Sequence, residues 1–289
     1  MRVRGAAVAA VVALPFLLGA ASGTPGVGAD PVLRFADPDI VESSGLVVVD
    51  GLVVTVNDSG DSGRVFAVDP ATGDTVGVTS WSPDPVDVEA LAPAGPGHVW
   101  VADTGDNRHV RDSVEVLRVP VGRGDRSVEP ASYELRYPDG PHDAEALVRH
   151  PLTGRLFVIS KGVFSGRVYA APLRLRADRP NALVAVGEAP GMVTDATFLP
   201  AGGGVVVRTY TSAHLAAYPS WEPVSSWDLP DQDQGEGLAL DGRDLLISTE
   251  GARSEVLRVL LPAEARATDR QSAAWTALRW VAAARGTPL

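Results

Sequence analysis

One short phrase recurs five times along the chain, and its spacing limits the fold more than any other feature. The copies are Glu42-Ser43-Ser44-Gly45-Leu46, Val88-Glu89-Ala90-Leu91, Ala144-Glu145-Ala146-Leu147, Thr194-Asp195-Ala196-Thr197-Phe198-Leu199 and Gly235-Glu236-Gly237-Leu238-Ala239. Counted from Ser44 through Glu89, Glu145, Asp195 and Glu236, the steps are 45, 56, 50 and 41 residues. Repeats of this length mark stacked supersecondary units that cannot bury their apolar faces alone. Between the copies lie β-branched runs separated by polar turns. In the first unit these are Val47–Val49, Leu52–Val56, Arg64–Asp69 and Thr75–Trp81, with Asp50-Gly51 suited to a type I′ hairpin turn. Four short strands per unit and no helix describe a propeller blade. The expected fold is therefore an all-β, five-bladed β-propeller, with six blades as the alternative count.

An aromatic residue stands eight or nine positions before most copies: Trp81, Tyr137 and Trp227, with Phe35 nine before Ser44. No complete blade precedes Phe35, so its strand is expected to complete the last blade from the N-terminus. That closure removes a free sheet edge. The rival closing strand is Thr276–Trp280.

At the N-terminus, Arg2 and Arg4 precede an apolar run from Ala6 to Leu18 and a small-residue stretch, the layout of a secretory signal peptide. The expected division is a signal over 1–29, a propeller over 30–261, and a helix or tail over 262–289. The resulting product is secreted, without a stable membrane span after cleavage, and monomeric. The sequence contains no cysteine, so disulfides, thiolate metal sites and cysteine nucleophiles are excluded. A net charge of −11 argues against a nucleic-acid partner, where a basic footprint is needed. An extracellular ligand or protein is the expected partner.

The ring residues carry the chemistry. In a propeller the innermost strands start around one axis, which brings Ser44, Glu89, Glu145, Asp195 and Glu236 to one face. Two unit charges about 6 Å apart cost on the order of 3 kcal/mol at an effective dielectric near 20. A hard cation with oxygen ligands offsets that cost, and calcium accepts six to eight oxygens in flexible geometry. In the alternative, these side chains point away from the axis and cap backbone groups. Loops after the second strands share the same face and supply substrate-binding candidates: Asp58, Asp103, Asn107, Lys161, Arg208, Tyr210, Glu250 and Arg253. Lys161 is the only lysine in the sequence. No catalytic residue is singled out by the pattern.

The order Ser44, Glu89, Glu145, Asp195, Glu236 resembles that of the calcium-activated nucleotidases (apyrases). The stretch Thr55-Val56-Asn57-Asp58 leading to Gly63-Arg64-Val65-Phe66 resembles the first-blade hairpin of that family. The phrases are also similar to secreted bacterial propellers of the phytase-like and WD40-like kind. The nucleotidase resemblance implies five blades and one axial calcium held by one residue per blade. This sequence departs from the family at Asp195, where a serine is usual, and at Ala90, where a tryptophan follows the second glutamate. The expected function is a secreted binding or scaffold module with calcium on its axis. The alternative is a calcium-dependent phosphoester or phosphoanhydride hydrolase, with Lys161, Arg208 and Arg253 as phosphate clamps.

Overall fold

The computed structural model describes residues 29–58 and 60–271. These form five small antiparallel sheets in a ring and one helix over 263–271. From the axis outward, the first blade is Ser43–Val49, Leu52–Asn57, Arg64–Val68 and Thr75–Ser80. The second is Val88–Pro93, His98–Asp103, Val114–Pro120 and Ala131–Arg136. The third is Ala144–Arg149, Leu156–Ser160, Ser165–Ala170 and Val184–Pro190. The fourth is Val193–Phe198, Gly204–Thr209, Ser212–Ala217 and Glu222–Asp228. The fifth is Gly235–Asp241, Asp244–Thr249 and Glu255–Leu260, completed by the N-terminal strand Ala29–Arg34. Five blades and N-terminal closure are thus observed; the rival strand Thr276–Trp280 lies outside the described residues, as does nearly all of the signal segment.

Burial explains the residue pattern. Leu52–Asn57 and Gly204–Thr209 are buried along their whole length because neighbouring blades cover both faces. A strand covered on both faces reads as a continuous apolar run, not an alternating one. The outer strand Glu222–Asp228, open to solvent, carries polar residues instead. The apolar side chains gather into five clusters, one at each seam between successive blades. Trp81, Tyr137 and Phe35 each plug one of these seams. Phe35 is fully buried between the fifth and first blades, among Leu46, Phe66, Leu246 and Val256. At the Asp50-Gly51 turn both residues have positive φ, 50° and 78°, as a type I′ turn requires.

The long 56-residue step between Glu89 and Glu145 has a physical use. Part of the excess lies between the third and fourth strands of the second blade, where Arg126–Ser127 pairs in parallel with the outer strand of the first. Asn181–Ala182 covers the second blade in the same way. Both segments protect outer edges that would otherwise recruit a foreign strand.

Helix 263–271 packs on the fourth and fifth blades, with Ala265 fully buried among their side chains. Asp269 fixes it by accepting hydrogen bonds from the amides of Ala201 and Gly203 at 3.0–3.1 Å. Asp269→Ala would leave those donors unpaired, and urea unfolding is expected to show a loss of about 1–3 kcal/mol. Among the described residues no helix is long and apolar enough to cross a membrane.

Candidate metal centre

Each copy of the recurring phrase is a β-bulge. The register between innermost and second strands slips between Ser43 and Leu46, Val88 and Ala90, Ala144 and Ala146, Val193 and Asp195, and Gly235 and Leu238. A bulge leaves a residue out of the ladder and re-aims its side chain. The residues so released include Ser44, Glu89, Glu145, Thr194 and Glu236.

The fourth ring position therefore belongs to Thr194, one residue before Asp195. Hydrogen bonding gives the same alignment. Ser44 Oγ donates to the Glu89 carbonyl at 2.8 Å, and Thr194 Oγ1 donates to the Glu236 carbonyl at 3.1 Å. Each hydroxyl thus ties its blade to the next. Asp195 pairs in the ladder with Arg208 and is fully buried. Its two oxygens accept from the amides of Ala196 (2.7 Å) and Leu238 (2.6 Å). This is the backbone-capping arrangement, and it directs the Asp195 carboxylate into the fourth–fifth blade seam.

The acidic side chains converge off to one side of the ring. Carboxylate oxygens of Glu89, Asp143 and Glu145, all buried, lie within 4.8 Å of one another. Those of Asp58, Asp87 and Glu89 do the same, so Glu89 joins the two groups. Asp87 and Asp143 are absent from the sequence-derived set. Their signal is the twice-repeated Asp-x-Glu, Asp87-Val88-Glu89 and Asp143-Ala144-Glu145.

Backbone geometry holds these groups in place. Asp143 Oδ1 accepts the Asp106 amide at 2.8 Å, and the Asp87 carbonyl accepts the Gly105 amide at 3.1 Å. Any side chain at Gly105 would overlap the carboxylates of both Asp87 and Glu89, so the bare backbone is needed there. Asp87 Oδ1 is buried and has no hydrogen-bond partner.

Lys161 donates to Glu145 Oε1 at 2.8 Å, and its ammonium lies 5.4 Å from the centre of the Tyr210 ring. Burial works against the ammonium's charge, but the Glu145 carboxylate more than restores it, so the Lys161 pKa rises. Glu236 stands nearby with Oε2 buried and unpartnered. Burial pushes its carboxyl up to about 8, with the Glu145 charge adding to the shift and Lys161 opposing it. Burial, then mutual repulsion, raises Glu89. Burial also raises Glu145, against the pull of Lys161. Asp87, half-buried, is pushed up to about 6 by desolvation and by Asp58 and Asp143.

The remaining candidates divide between the site and its supports. Asp58 belongs to the cluster. Glu250 lies half-buried, its pKa raised by burial and then by the Asp58 and Glu42 charges. Asp103 is buried and supports loops: it accepts the amides of Val86 and Asp87 and pairs with Arg111 at 2.7 Å. Arg208 is fully buried, donating to the carbonyls of Gly237 (2.6 Å) and Ser248 (2.8 Å) and to Gln232 Oε1 (2.6 Å). It braces the fifth blade and offers no face to a ligand. Asn107 and Arg253 are exposed in loops outside the carboxylate cluster.

No family model matches the chain, and no curated protein matches it. Among solved structures it is similar to the glutaminyl cyclase of Myxococcus xanthus, with 13% identity and a TM-score of 0.50, covering 81% of this chain and 97% of that one. A glucose dehydrogenase is similar at 10% identity and a TM-score of 0.48, covering 81% of this chain and 100% of that one. At such low identity, the likeness to the glutaminyl cyclase establishes a shared β-propeller fold and nothing finer.

Proposed function

We propose that the protein is a secreted binding module whose carboxylate cluster holds a hard divalent cation, calcium by the chemistry of its donors. The observation that carries this reading is the approach of buried Glu89, Asp143 and Glu145 oxygens to within 4.8 Å of one another. Oxygens ligating one calcium at about 2.3–2.6 Å lie at most about 5 Å apart, so one ion fits between them. The unpartnered, buried Asp87 Oδ1 fits the same role. The donor set is oxygen only, which favours calcium over softer metals. Lys161 and Arg111 are the neighbouring cations, against five carboxylates. This ligand set replaces the expected one-per-blade set: Glu89 and Glu145 remain, Asp58, Asp87 and Asp143 join, and Ser44, Asp195 and Glu236 stand outside.

When bound, the cation would be held by these carboxylates and would neutralise the cluster, with half-buried Asp58 and Asp87 on its exposed side. Gly105→Ala tests this directly. The new methyl displaces the Asp87 and Glu89 carboxylates, so calcium affinity should fall tenfold or more, while overpacking lowers stability in chelator by about 1–3 kcal/mol. Equal affinity in the variant would remove Asp87 and Glu89 from the ligand set.

One observation favours a second reading, a phosphoester or phosphoanhydride hydrolase: Lys161 places a cation beside the cluster. Arg208 and Arg253 cannot join it as clamps, one being buried in the fifth-blade brace and the other exposed in its own turn. Assays with nucleotides and phytate, with and without calcium, separate the readings. Calcium-dependent turnover lost in Lys161→Met would establish the hydrolase. Calcium binding without turnover would establish the module.

A further inference from the structure

We propose that the far end of the central channel is a binding site for a small amphipathic carboxylate, its apolar body in the channel and its charged head on Arg149. The same innermost strands build both ends. Each becomes channel wall two residues after its ring position: Leu46, Leu91, Leu147, Ala196 and Leu238. The walls then open into a cavity of about 230 Å³ facing away from the acidic mouth. Every blade contributes to it, through Val48, Pro93, Arg149, Thr197 and Leu240.

Three features give the cavity the character of a site. Its volume exceeds the roughly 150 Å³ at which an apolar protein cavity accepts benzene. Its wall is mostly aliphatic side chains and proline, with Arg149 as the one charged residue among the described lining. Few polar groups set in an apolar wall are what orients a small ligand. Finally, the Arg149 guanidinium has no hydrogen bond or ion pair among the described residues, and of the arginines without an acid it is the one that lines this cavity. Its guanidinium lies over Gly154 in the adjoining turn, where the missing side chain leaves it room. In a chain of net charge −11, an arginine left without an acid beside an apolar cavity is matched by an external anion with an apolar body. The planar guanidinium suits a carboxylate, which it can hold through two parallel hydrogen bonds.

The test is calorimetric titration with octanoate and with octanol, in EDTA so that the acidic mouth plays no part. Octanoate is expected to bind, octanol at least tenfold more weakly. Arg149→Leu should weaken octanoate roughly 10- to 100-fold, leaving octanol unchanged. Thr197→Trp, which fills the cavity, should abolish binding of both. Arg149 sits at the partly exposed lip, so its variant reports on the charge even if the tryptophan variant fails to fold. The proposal is overturned if octanoate does not bind at millimolar concentration, if octanol binds as well, or if Arg149→Leu binds octanoate like the parent chain.

Discussion

Arg208→Ala is expected to destabilise the propeller by about 3–5 kcal/mol, measured as a shift in the urea midpoint at constant slope. The side chain is wholly enclosed, and it crosses from the second strand of the fourth blade into the fifth. Its Nη1 closes two backbone carbonyls, Gly237 and Ser248, and Nη2 holds Gln232. Burial lowers its pKa to about 10, partly countered by the Glu236 and Asp195 charges beside it. Alanine would leave two carbonyls and two buried acids without their cation. Lysine would restore the charge but not the fork, so Arg208→Lys should recover only part of the loss. A change under about 1 kcal/mol for Arg208→Ala would mean that the arginine does not brace the fourth and fifth blades.

The second large effect expected is a dependence on pH that calcium should reduce. The Glu236 carboxyl is pushed from a reference of 4.5 to about 8 in the folded chain. Between those values the folded state keeps a proton that the unfolded state has released. Stability from this group is therefore complete below about 4.5 and is lost as pH rises toward 8. Raised values at Glu89 and Glu145 act in the same direction. His150 and His214, whose burial lowers their pKa from 6.5, act oppositely but only below that reference value. The window free of them is pH 6.5 to 8. Across it Glu236 alone accounts for about 2 kcal/mol, since each unit is worth about 1.4 kcal/mol. In chelator, Tm should fall by roughly 4–8 °C from pH 6.5 to 8. With calcium the fall should shrink, because the ion favours the ionised Glu89 and Glu145 carboxylates and binds more strongly as pH rises, while the share from Glu236, outside the ligand set, persists. An equal fall with and without calcium would show that no ion neutralises the cluster.

How much of this was legible in the sequence depends on the kind of interaction. Blade number was readable because four of the blades are local, four strands joined by turns such as Asp50-Gly51, repeated every 41 to 56 residues. Phe35 could be placed in the last seam by its spacing from Ser44, matching Trp81 before Glu89. The ring was readable only to within one residue. The fourth copy offers both Thr194 and Asp195, and only the bulge register chooses between them. An acid one place beyond the bulge enters a seam instead of the mouth, which is what Asp195 does. Asp87 and Asp143 precede the strands, so the repeated Asp-x-Glu is their only signal in the sequence. Arg208 and Asp103 fall among the ligand candidates by sequence, yet both are buried. Position at a strand end does not reveal whether a long side chain turns outward or folds under the next blade.

In the proposed centre, Glu89 joins the other four carboxylates into one cation site. Calorimetric titration of chelator-stripped protein with calcium at pH 8, alongside Glu89→Gln, tests it most directly. A single saturable site is expected, with Tm raised by roughly 5–10 °C at a hundredfold excess over Kd. Both the heat and the shift should disappear in Glu89→Gln. No heat and an unchanged Tm at millimolar calcium, or equal binding by the variant, would contradict it.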